Sequence, residues 1–171
     1  MATMQRALGN NFLKKYLKNK KYNTVINIGC RSDKDIQGMF YSDYFDAKKI
    51  IKVEPFPIKK YDVDYIAKCE NLPFENSISD MIFLHNVFLP YECDIDIEKS
   101  LMEMHRVLMK SGEVIISYSD FSLDAKNYLE KTRNAILGYF SPIEIYEYQT
   151  TGDRYMDKIV DYHVEIFCGK K

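Results

Sequence analysis

The stretch Thr24-Val25-Ile26-Asn27-Ile28-Gly29-Cys30 constrains the fold more than any other. A run of Val and Ile with no alternation of polar residues reads as a strand buried on both faces, and it ends at a glycine. Strands of that kind belong to parallel sheets covered by helices. In open α/β sheets a ligand sits in the crevice outside the carboxyl ends of the strands. The glycine is followed by Arg31-Ser32-Asp33-Lys34-Asp35, where a nucleotide-binding loop usually has more glycine.

Other segments extend the pattern. Phe12, Leu13, Tyr16 and Leu17 recur at helical spacing and predict a short helix over 11–18, followed by the first strand. A short helix is expected near 42–47 and a second strand over 49–54, stopped by Pro55 and Pro57. A third strand is expected over 62–67. The connection to it is too short for a helical crossover, which takes about a dozen residues, so a helix is missing there. Met81 to Leu84 form another buried strand, ending at His85-Asn86.

Ile97, Leu101, Met104, Val107 and Leu108 mark an amphipathic helix over 96–109, with Asp94 or Asp96 as cap and Lys110-Ser111-Gly112 as its end. A strand over 113–118 and a helix over 123–137 follow, the helix with Ser122 as N-cap and Gly138 just past its end. Strands near 143–149 and 158–168 close the chain. The turn Thr150-Thr151-Gly152-Asp153 makes them an antiparallel pair, and the alternation from Val160 to Cys168 predicts one covered and one wetter face. The expected fold class is α/β: a small Rossmann-like sandwich with helices missing, its mostly parallel sheet closed by a C-terminal antiparallel hairpin. With 171 residues the chain reads as a single domain, 1–22 a helical segment and 23–171 the α/β core.

Charge and cysteine usage exclude several functions. A net charge of −1 gives no global field to recruit nucleic acid or an anionic membrane. The lysines at 14, 15, 18, 20 and 21 cluster locally, but no stacking platform or RNA-binding motif accompanies them, and they suit the negative end of the first helix. Cys30, Cys69, Cys93 and Cys168 lie far apart and, with three histidines, form no zinc-like spacing; no metal site is expected. The sequence shows neither a signal-peptide core nor a membrane-length apolar run, so the reading is a cytoplasmic protein with reduced thiols.

Several of these stretches, in this order, resemble the class I S-adenosylmethionine-dependent methyltransferases. Val25 to Cys30 resembles the first half of that family's V-L-D-I-G-C-G-x-G motif, and Val53-Glu54 resembles the strand whose terminal acid holds the ribose hydroxyls. Cys69-Glu70-Asn71-Leu72-Pro73-Phe74 followed by Ser79-Asp80-Met81-Ile82 resembles the A-E-N-L-P-F…F-D-L-V stretch beside the adenine. Met104 to Leu108, with Gly112 to Ile116, resembles the E-x-x-R-V-L-K-P-G-G helix end and the strand after it. The chain departs from the pattern at Asn27 and Lys68, where acids are common, at Arg31 and Asp33, where glycines stand, and at Lys110-Ser111, which replaces Pro-Gly.

The resemblance implies S-adenosylmethionine as cofactor, held by Gly29, Cys30, Arg31, Asp33, Glu54, Pro55, Cys69, Glu70 and Asn86. It implies methyl transfer to a small-molecule or sugar-like acceptor. Asp33 and Asp35 fit either a ligand ammonium or a helix cap. His85 fits either a general base, its ordinary pKa lying near operating pH, or a packed structural histidine. Cys69 lacks an evident base and reads as a small apolar contact. The alternative function is that of a methyltransferase-like pseudoenzyme that binds a protein partner with little or no cofactor.

Overall fold

The computed structural model describes residues 12–29, 45–56, 63–85, 95–120, 126–155 and 158–171. A helix over residues 12–17 (α1) leads into strand β1 (Lys21–Ile28), then β2 (Asp46–Val53) and β3 (Ser79–His85). Helix α2 (Ile97–Val107), strand β4 (Leu108–Asp120), helix α3 (Lys126–Tyr139) and strands β5 (Ser141–Tyr155) and β6 (Lys158–Lys170) complete the order. The six strands form one sheet in the order β2-β1-β3-β4-β6-β5. The pairs β2/β1, β1/β3 and β3/β4 are parallel, whereas β4/β6 and β6/β5 are antiparallel.

The apolar run in β1 is covered on both sides, as its composition requires. Val25 packs with Leu13 and Leu17 of α1, with Phe83 and with Ile115. Ile26 and Ile28 point the other way, into a core shared with Leu101, Met104 and Val107 of α2 and Ile136 of α3. Each fully buried Leu or Ile contributes about 1.5–3 kcal/mol, so these two clusters supply most of the drive to stack helices on the sheet. The parallel strands share their carboxyl ends at one edge of the sheet. At the opposite edge Lys20 Nζ lies 3.1 Å from Glu113 Oε1 and 3.5 Å above the Tyr16 ring. Tyr22 donates its hydroxyl to Glu113 Oε2 at 2.6 Å. Lys20 of the basic cluster thus ties α1 to β4, while Lys21 reaches Asp46 at 3.9 Å.

Several boundaries differ from the sequence expectation, each for a tertiary reason. Within the segment 42–47, residues 46 and 47 are strand and not helix: β2 starts at Asp46, paired with Lys21, and the ring of the preceding Phe45 meets Phe83 edge-on at 5.2 Å. Residues 42–44 lie outside the described residues. Among the described residues the third strand contracts to one parallel bridge, Val53 with Tyr65. Helix α2 stops at Val107 because Leu108 turns extended (φ −73°, ψ 135°) and pairs with Ser79; Asp96 is its N-cap, accepting from Lys99 N–H at 3.1 Å. Gly138 lies inside α3, which runs on until Phe140 N–H bonds Ile136 C=O, since Ile136 and Phe140 are both core residues. Ser122 lies outside the described residues.

The closing hairpin is longer than its alternation suggested. Thr150 pairs with Tyr162 and Asp153 with Val160, so Thr151 and Gly152 stand opposite a single residue as a bulge, not a turn. The β5/β6 pairing runs on to Tyr155 opposite Lys158. The alternation in β6 gives way at Ile166, Phe167 and Cys168, all buried, because Ile166 and Cys168 pack on the α1 side and Phe167 on the α2/α3 side.

Candidate functional site

The strand order reverses beside β1: the chain leaves it for β2 on one side and returns to β3 on the other. Such a switch point opens a crevice at the carboxyl ends. Ile28 and Val53 are register partners, so Gly29 and Glu54 follow them as neighbours on the rim. Gly29 has φ 77°, a left-handed conformation that any side chain would strain, and its N–H bonds Val53 C=O at 2.9 Å. Glu54 is buried, 4% exposed, and its Oε1 accepts the Phe56 N–H at 3.1 Å. Its backbone N–H bonds Tyr65 C=O at 3.1 Å. Pro55 beside it is half-buried. Asn27, one turn of the pleat before the glycine, is buried as well.

On the far side of β1, His85 ends β3 in register with Ser117 of β4. Asn86, Cys30, Arg31, Asp33 and Asp35 lie outside the described residues. Cys69 and Glu70 sit at the start of a loop that runs along α2. The Cys69 thiol is buried 3.2 Å from Ser100 Oγ and 3.4 Å from Glu70 Oε2. Burial pushes that thiol up to about 12, which disfavours the thiolate form. Glu70 Oε1 accepts the Asp96 N–H at 3.4 Å, at the start of α2.

The sequence reading missed the other end of this loop. All five N–H groups of Arg106 are engaged. Nε and Nη2 donate to Glu103 at 2.8 Å each, Nη1 to Phe74 C=O (2.7 Å) and Asn76 Oδ1 (2.9 Å), and Nη2 also to Leu72 C=O (3.1 Å). Glu103 in turn accepts the Leu72 N–H at 3.0 Å. The bond to Arg106 is the main cause that holds the Glu103 carboxyl below its ordinary range. The available signal was the Glu103-x-x-Arg106 spacing on one helix face, which joins the two side chains locally but does not show that they grip a loop. His105 next to them is half-buried against Tyr139 and Phe140, and burial lowers its pKa.

A separate groove of about 580 Å³ runs between α2 and α3 past Glu98, Lys131 and Tyr139; none of its lining residues stands at a strand end. Among the described residues no cluster of His, Cys, Asp or Glu is arranged to hold a metal ion, and no helix is long and apolar enough to cross a membrane.

No family model and no curated protein sequence matches the chain. Solved structures do. The N-methyltransferase NodS from Bradyrhizobium japonicum WM9, in complex with S-adenosyl-L-homocysteine, superposes with a TM-score of 0.63 at 13% identity, over 96% of this chain and 86% of that one. The chain has the class I methyltransferase fold. A methyltransferase from Haloferax volcanii, in complex with the Trm112 methyltransferase activator, gives 0.64 at 12% identity over 92% and 87% of the two chains. The [4+2]-cyclase SpnF gives 0.66 at 10% identity over 97% and 81%. The hairpin β5–β6 closes the sheet as the sequence resemblance implied.

Proposed function

We propose that this protein binds S-adenosylmethionine at the carboxyl ends of β1 and β2 and transfers its methyl group to a small-molecule acceptor. The observation that carries the reading is the pair Gly29 and Glu54: a left-handed glycine and a buried carboxylate, adjacent at the switch point of a methyltransferase fold. A carboxylate accepts several hydrogen bonds at once, so Glu54 suits a vicinal diol. Its place at a strand end fixes its direction. Gly29 carries no Cβ, which allows backbone to approach a ligand closely. Bound there, S-adenosylmethionine supplies a methyl group on a sulfonium, open to in-line attack by a nucleophile.

Pro55 beside Glu54, and Cys30, Arg31, Asp33 and Asn86 from the sequence resemblance, are the further cofactor contacts in this reading. Cys69 and Glu70 contribute through the course of their loop, since the thiol faces Ser100 and the carboxylate faces Asp96. The acceptor approaches over the end of β3, where His85 is the candidate to take its proton. Alignment of the two reactants does most of the work in such a displacement.

Isothermal titration with S-adenosylmethionine and S-adenosylhomocysteine tests the proposal. Binding is expected for the wild type, and E54Q is expected to bind roughly 10- to 100-fold more weakly, the effect of weakening charge-assisted hydrogen bonds worth about 1.5–3 kcal/mol. No heat from either ligand at millimolar concentration would sink the idea. A second reading, a module that docks a protein partner, draws support from one neighbour of this fold, which is held by an activator protein.

A further inference from the structure

Given Glu54 as the nucleoside carboxylate proposed above, we infer that Arg106 is a positioning residue for it, acting through Phe74 and Tyr65. In a fully laddered sheet the end of β2 would be held from outside by a third strand. Here, among the described residues, that strand is one bridge, Val53 with Tyr65. The backbone at Glu54 therefore depends on a short segment. Tyr65 C=O accepts the Glu54 N–H at 3.1 Å, and the N–H groups of Asp64 and Tyr65 both reach Lys52 C=O, at 3.0 and 3.1 Å. Asp64 Oδ2 also accepts the Lys52 N–H at 2.8 Å.

That segment has little burial of its own. Tyr65 is 42% exposed and Ile66 72%. What braces it is the edge-to-face contact of the Tyr65 ring with Phe74, centroids 4.9 Å apart at 79°. Phe74 sits on the loop that Arg106 clamps: its C=O takes the shortest Arg106 bond, at 2.7 Å, with Leu72 C=O and Asn76 Oδ1 on either side. The next residues are fixed to the same helix end, Ser77 N–H on Arg106 C=O at 3.0 Å and Ile78 N–H on Val107 C=O at 2.9 Å. The path from the guanidinium to the Glu54 backbone is thus continuous: Arg106, Phe74, Tyr65, Glu54. A planar five-donor fork can satisfy this set of acceptors, and a lysine ammonium cannot.

The inference is tested with S-adenosylhomocysteine as probe, titrated calorimetrically into wild type, F74A, R106K and Y22F, each well below its own melting temperature. Tyr22 lies at the opposite edge of the sheet, bonded to Glu113, so Y22F controls for loss of stability without disturbance of the site. F74A removes the brace without stranding a charge, and it carries the test if R106K fails to fold. The expected result is at least a tenfold weaker Kd for F74A and R106K, with Y22F binding as wild type does. Wild-type Kd in folded F74A and R106K would overturn the role of Arg106 while leaving the cofactor reading intact. A uniform loss in all three variants would reduce the effect to stability and also overturn it. Absence of binding in the wild type would instead remove the reading of Glu54 on which the role depends.

Discussion

Ser111 occupies the position where the resembled motif has the first glycine of its Pro-Gly-Gly turn, and its φ of 66° is the left-handed value that glycine adopts without strain. A side chain costs about 1–2 kcal/mol in that region, partly offset because glycine gives the unfolded chain more freedom. Ser111 is exposed, so its side chain gains little from packing. S111G is therefore expected to stabilise the protein by about 0.5–1 kcal/mol, raising Tm by roughly 1–4 °C for a chain of this size. A scanning calorimetry trace with unchanged or lowered Tm would contradict the strain. The departure from the motif at this residue thus changed the side chain but kept the backbone conformation. Gly112 beside it has no such latitude: a Cβ there would meet Leu108 Cδ1 and Met109 C=O at 2.9 Å.

At the scale of elements, α2 and the loop 69–78 form one unit, bolted at Cys69–Ser100, at Glu70–Asp96 and at Arg106. Glu103 links that unit to pH. Its folded pKa is depressed below the reference value of 4.5, chiefly by the Arg106 hydrogen bond. The stabilisation it gives is present in full above the unfolded pKa and is lost as pH falls through the folded one. E103Q should then be less stable than wild type at pH 7 by about 1–2 kcal/mol, with the gap closing on acidification below about pH 4.5. Urea midpoints measured across that range check it; a gap that stays constant or widens in acid would be the wrong sign. Apolar periodicity located α2 and the buried strands because each carries its own pattern. Local reading also placed a helix at 42–47 and, from its turn residues, a turn at 150–153, where Asp46 pairs into β2 and Thr151-Gly152 form a bulge, because neither strand pairing nor a bulge is encoded in a single segment.

For the molecule as a whole, the cofactor proposal predicts a linkage effect. A ligand at one hundred times its Kd stabilises the native state by about 2.7 kcal/mol, or roughly 5–10 °C in Tm at this length. S-adenosylhomocysteine is the ligand to use, with adenosine and methionine as controls. A melting temperature unmoved by S-adenosylhomocysteine favours the partner-binding reading instead. The fold itself is common ground for both, since structures with a methyltransferase activity and with a cyclase activity share it.

The sequence by itself determined the parallel core. Val25, Ile26 and Ile28 are too apolar to face water on either side, and Gly29 is the residue that can end such a strand at φ 77°. It also located Glu54 at a strand end and the hairpin at the close. Only the tertiary structure decided how much of a third strand survives and what holds the loop beside the site. A bridge at Tyr65, a thiol turned toward Ser100 and a guanidinium spent on three separate loop acceptors all join residues far apart in the chain. Local pattern carries the preference of each segment for helix or strand. It carries nothing about which distant carbonyl will meet Arg106, and that meeting is what shapes the rim on which Glu54 stands.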